Sequence, residues 1–75
     1  MKPIRYTTHA LDRTRGRDLH ETEVESVIRN PAITLPSRRH DRHDVIGYVR
    51  GRAIRVVYAE SQEALWVITV MLVGA

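Results

Sequence analysis

Seventy-five residues fit one domain, residues 1–75, and the absence of cysteine excludes a disulfide staple or a thiolate zinc site as its support. Twelve Lys plus Arg against nine Asp plus Glu give a net charge of +3, which admits an anionic partner without requiring one. A domain this small buries only about 60% of the surface its unfolded chain exposes, so any apolar face left open weighs on its stability.

The opening "MKPIRYTTHALDR" carries charges and no apolar h-region. The longest apolar run, "ALWVITVMLVGA", falls short of the ~20 residues of a membrane-spanning helix, so a soluble cytoplasmic protein is expected. "PIRY" reads as an extended lead-in to Thr7 and Thr8, either of which can cap a helix with its hydroxyl. "HALDRTR" then predicts a short helix that stops at Gly16.

"DLHETEVESVIRNP" predicts a second helix, with Val24, Val27 and Ile28 as its apolar stripe and Asn30-Pro31 as its stop. Asp18 with Glu21 is the better capping box at its start, and His20 with Glu23 the other. Beyond Pro31 the pattern alternates. "AITL" is a short strand candidate and "SRRHDRHD" a polar turn or loop. "VIGYVRGRAIRVVYAE" reads as a hairpin turning at Arg50-Gly51. "ALWVITVML" is the most strand-like segment and is apolar on both faces, which predicts a central strand covered on both sides. Helices on one side leave the other to a partner, such as a second copy meeting it along this C-terminal strand, unless the strand curls on itself. The expected fold is α+β: two N-terminal helices packed on a three- to four-stranded antiparallel sheet.

Eleven of the twelve cations are arginine, whose planar fork suits phosphate, although codon bias in a GC-rich genome produces the same skew. His9, Arg13 and Arg17 recur every four residues, on one side of a helix with no carboxylate among them. His9 follows the threonine cap, where the helix dipole and the neighbouring arginines disfavour its imidazolium, and a neutral imidazole can act as a general base. On "RAIRVVYAE", alternation sets Ile54, Val56 and Tyr58 against Arg55, Val57 and Ala59, with Tyr58 in the core and its hydroxyl at the rim. On "WVITV", it sets Thr69 against Trp66, Ile68 and Val70. Arg55 and Thr69 are each the odd polar member of an apolar strand. If they share the face opposite the helices, that face is a shallow polar groove.

In "RRHDRHD", His40, His43, Asp41 and Asp44 have too loose a spacing to read as a metal site. Arg38, Arg39 and Arg42 there suit phosphate better, and Arg17 and Arg52 join them as auxiliary nucleic-acid contacts. No serine elbow, phosphate loop or carboxylate pair is present. Histidine, arginine and hydroxyls, without a cofactor, suit metal-free RNA cleavage, in which the substrate supplies its own 2′-hydroxyl nucleophile. A module that binds RNA or a protein without chemistry uses the same basic surface.

"YTTHALDRTRGR", "ETEVESVIRNP", "GRAIRVVYAE" and "LWVITVM" together resemble the DUF4258 family of small prokaryotic domains. That family looks like a relative of the RelE and BrnT toxins and of the wider barnase, EndoU, colicin and RelE ribonuclease group. The resemblance implies helices on an antiparallel sheet, RNA as substrate and an antitoxin protein as partner. It also implies His9, Arg13, Arg55 and Thr69 as the catalytic positions.

Overall fold

The computed structural model describes residues 2–74. In chain order the elements are β1 (Ile4–Tyr6), α1 (Thr8–Gly16), α2 (Glu21–Arg29), β2 (Ile33–Leu35), β3 (Arg42–Val49), β4 (Arg52–Glu60) and β5 (Leu65–Leu72). The strands form one sheet in the order β1-β5-β4-β3-β2, with β1 parallel to β5 and every other neighbour antiparallel. This corrects the expected architecture. The sheet has five strands and is mixed, and its first strand precedes the helices. The "PIRY" lead-in becomes that strand because Ile4 and Tyr6 turn towards the core while Arg5 faces out.

Thr7 caps α1, its hydroxyl accepting the Ala10 amide at 3.1 Å. Ala10 and Thr14 are the buried residues of this polar helix, and the Thr14 hydroxyl donates back to the Ala10 carbonyl at 2.8 Å. α2 buries Val24, Val27 and Ile28, as its periodicity predicts. Its N-cap is His20, not Asp18: the Glu23 carboxylate accepts the His20 amide at 3.0 Å. Asp18 instead takes a left-handed conformation (φ 58°) in the turn between the helices.

The helices pack on one face of the sheet, where Val45, Ile54, Val56, Val67 and Val70 complete the core. Gly47 lies under α2: a Cβ there would sit 3.0 Å from both γ-methyls of Val27, so any larger residue would force Val27 or α2 to give way. The β3–β4 hairpin turns at Arg50 (φ 51°) and Gly51 (φ 78°), the positive-φ pair that a tight hairpin needs. β3 begins at Arg42, so the end of the polar run expected as loop is strand.

Between Val57 and Tyr58 the β4–β5 register shifts. Val57 pairs with Thr69 and Tyr58 with Val67, which leaves Ile68 as the extra residue of a bulge. Simple alternation therefore fails on β5: Trp66 and Thr69 share the outer face, and Val67 and Val70 share the inner one. Among the described residues, no helix or strand covers that outer face. β5 lies between β1 and β4, as a central strand should, and the helices cover its inner face. No helix among the described residues is long and apolar enough to cross a membrane.

Candidate nucleic-acid interface

The proposed catalytic residues fall into two groups. His9 and Arg13 are exposed on α1, one turn apart, and neither forms an ion pair among the described residues. Arg55 and Thr69 lie on the outer face of the sheet. Arg55 pairs with Met71 and Val57 with Thr69, which makes Arg55 and Thr69 diagonal neighbours about 7–8 Å apart at their backbones. The helix layer thus carries one half of the set and the open sheet face the other.

The sheet edge joins these halves. β1 pairs with β5 only as far as Tyr6 and Val67. The Thr7 amide donates to the Val67 carbonyl at 3.1 Å, and the Thr7 hydroxyl donates to the Ile68 carbonyl at 3.4 Å. The first turn of α1 is therefore tied to the bulge. His9 stands two residues beyond Thr7 and Thr69 one beyond Ile68, on the two sides of the same edge.

The Arg55 guanidinium is already engaged. Its Nε donates to Asp44 Oδ1 at 2.8 Å and its Nη2 to Asp44 Oδ2 at 2.5 Å. These hydrogen bonds hold Arg55 above its ordinary pKa. Asp44 lies two positions off the Arg55 partner Ile46 along β3, on the same outer face. The loop expectation for "RRHDRHD" hid this pairing.

The remaining arginines scatter. α1 ends before Arg17, which caps it about 12 Å along the axis from His9. There the Arg17 carbonyl accepts from Arg52 Nη2 at 3.1 Å, while its own Nε is buried without a hydrogen-bond partner. Arg17 is thus not part of a continuous His9–Arg13 row, and Arg17 and Arg52 belong together at the far end of the helix. Arg38 and Arg39 are exposed in the β2–β3 loop, with Arg39 at 3.5 Å from Asp41. Arg42 is a strand residue on the outer face.

Strand alternation also divides the histidine–aspartate run. His43 faces the core side, stacked on Tyr58 at 4.8 Å between centroids, with Nε2 2.9 Å from Glu60 Oε1. Tyr58 packs against the core, and burial, then the Glu60 charge, raises its hydroxyl pKa. Asp44 faces outward to Arg55.

Register assembles one further row on the outer face. Arg42 pairs with Ala59, Ala59 with Trp66, and Trp66 with Arg5, across four strands. Trp66 is 40% exposed. Sequence alternation misses this row because the bulge reverses the parity of Trp66 relative to Thr69. The sequence carries no signal that matches Arg5 to Arg42, because neither β1 nor the start of β3 reads as strand.

A family model described as a domain of unknown function, DUF4258, matches residues 6–72. The chain belongs to the DUF4258 family. The match runs from the last residue of β1 to the end of β5, so the DUF4258 unit takes in both halves of the site and the edge that joins them. No curated protein and no solved structure matches the DUF4258 chain.

Proposed function

We propose that this DUF4258 domain is a toxin-like endoribonuclease that cleaves RNA without a metal. The observation that carries the proposal is the anchoring of Thr7 on Val67 and Ile68, which fastens the first turn of α1, the turn that carries His9, to the bulge that precedes Thr69. The resemblance to RelE and BrnT toxins supports the same assignment, as does a first turn of α1 without acidic residues.

In this scheme RNA crosses the edge between β5 and α1. His9 takes the proton of the 2′-hydroxyl, and the resulting oxygen attacks the adjacent phosphorus. Arg13 and Arg55 stabilise the charge that builds on the phosphoryl oxygens, and Thr69 hydrogen-bonds phosphate or ribose. The 5′-oxygen leaves with a proton from water, and the proton on His9 passes to solvent, giving a 2′,3′-cyclic phosphate and a 5′-hydroxyl. An antitoxin protein covering the outer face would block access.

The test is cleavage of single-stranded RNA in EDTA by wild type beside His9→Ala, with folding checked by circular dichroism. Wild type should cleave, and His9→Ala should lose about 100-fold or more, the usual contribution of a general base. A substrate lacking the 2′-hydroxyl at the scissile position should stay intact. Equal cleavage by His9→Ala removes this residue from the chemistry.

The Asp44–Arg55 pair favours a second reading. A guanidinium held by both oxygens of a carboxylate has less charge to offer a transition state. A domain that binds RNA through the same surface without cutting it accommodates this pair directly. It predicts salt-sensitive affinity that is indifferent to His9→Ala and no cleavage.

A further inference from the structure

The outer face of the sheet carries a feature that phosphate chemistry alone does not explain. Trp66 is the chain's one tryptophan, and the chain has no phenylalanine. An indole is among the largest apolar groups available to a small core. Here it lies outside that core, on the face away from the helices and 40% exposed.

Its neighbours are specific. Arg5 is directly opposite on β1, one strand spacing away, about 4.8 Å. On the other side Ala59 separates Trp66 from Arg42, which is two spacings away, about 10 Å. Alanine is short, so β4 puts no long side chain between these two positions. Neither Arg5 nor Arg42 forms an ion pair among the described residues, whereas Arg55, nearby on the same face, does. The Nε of Arg42 is buried and has no hydrogen-bond partner.

Exposed aromatic rings flanked by uncompensated arginines meet the needs of a single strand. Every base offers a π-face to the ring, and every linkage offers a phosphate to the guanidinium. Thr69 lies on the same face further along β5, with Arg55 diagonal to it. We propose that Trp66 is a stacking platform for one unpaired RNA base, with Arg5 and Arg42 holding the phosphates on either side. The inference deepens the RNA reading above: it makes the substrate single-stranded and places it across the sheet. A protein partner would find the apolar surface equally usable, but it would have no need of two arginines that lack a carboxylate partner among the described residues.

A single tryptophan makes the test direct. The full chain is titrated with a single-stranded oligonucleotide carrying 2′-O-methyl groups, which binds but cannot be cleaved, while Trp66 emission is recorded. Saturable quenching is expected, weaker with a duplex of the same sequence and weaker as salt rises. Trp66→Ala should lower affinity about 5- to 100-fold, and Trp66→Phe should keep most of it. Arg5→Ala and Arg42→Ala should each weaken binding and flatten its salt dependence.

Saturating oligonucleotide that leaves the emission unchanged overturns the proposal, and this measurement needs no variant to fold. So does wild-type affinity in Trp66→Ala, or emission that shifts to the blue with protein concentration alone, which would mean that a second copy covers the ring. Quenching without any cleavage of unmodified RNA in EDTA sinks the ribonuclease and leaves the platform standing. Cleavage by wild type with an unquenched tryptophan does the reverse.

Discussion

Asp44 clasps Arg55 through both carboxylate oxygens, at 2.8 and 2.5 Å, on the sheet face that the helices leave open. The two side chains differ in exposure, 15% for Asp44 and 41% for Arg55, so the cation is the more accessible partner. If a phosphate competes for Arg55, it must displace a carboxylate. Asp44→Asn should therefore tighten RNA binding several-fold and steepen its salt dependence by about one phosphate contact. The cost in stability should stay within about 1 kcal/mol, because a partly exposed pair contributes little. Affinity measured against salt concentration checks this, and an unchanged slope would show that Arg55 meets no phosphate.

Much of this surface is hidden in the sequence for identifiable reasons. α1, the α2 stripe and the Arg50-Gly51 turn are legible because each rests on local signals: a threonine cap, helical spacing, a glycine at positive φ. The alternation of Ile54, Val56 and Tyr58 against Arg55 and Val57 on β4 is legible for the same reason. β1 is not, since three residues pairing in parallel with the last strand leave no local trace. The bulge at Ile68 depends on two strands at once, and it alone moves Trp66 onto the face of Thr69. Arg42, His43 and Asp44 read as loop because strand residues at a sheet's end can be charged when ion pairs or ring stacking hold them.

Acid should weaken the fold through Glu23. Its carboxylate accepts the His20 amide at the start of α2 and lies 3.0 Å from the Arg50 Nε in the hairpin turn. The backbone hydrogen bond first, and then the Arg50 charge, holds its pKa below the ordinary carboxylate value. A depressed folded-state pKa contributes stability that is present above the unfolded value, about 4.3, and lost as pH falls through the folded one. Glu23→Gln should lower the melting temperature at neutral pH, and the gap to wild type should close on acidification. Glu60, held low by Lys2 and His43, bends the acid limb of both proteins alike, so the difference isolates Glu23. A gap that persists undiminished at low pH would mean that ionisation is not its source.

Gly47 and Val27 should behave as a coupled pair. Gly47→Ala places a methyl 3.0 Å from both Val27 γ-carbons, closer than packed carbons rest, and α2 must lift or Val27 must shift. A loss of about 1–3 kcal/mol is expected, the range for overpacking a dense core. In a Val27→Ala background the same substitution should cost much less, because the obstructing γ-methyls are gone. Urea unfolding of the four proteins gives the coupling. Additive losses would locate the strain of Gly47→Ala elsewhere.

Thr7 should act on cleavage without touching RNA. Its hydroxyl accepts the Ala10 amide and donates to the Ile68 carbonyl, so one side chain both caps α1 and fastens it to the bulge beside Thr69. Thr7→Val keeps the shape and loses both bonds. It should cost about 0.5–2 kcal/mol as a lost N-cap. It should also slow RNA cleavage at saturating substrate by more than it weakens binding, because the first turn of α1, which carries His9, is no longer fastened to the bulge. Thr7→Ser retains the hydroxyl and should restore most of both. A merely structural threonine would lower the melting temperature and leave the turnover of the folded fraction intact. Single-turnover cleavage in EDTA, measured well below each variant's melting temperature, separates the two. Turnover in Thr7→Val equal to wild type would release His9 from any dependence on this anchor and with it the edge as the site of chemistry.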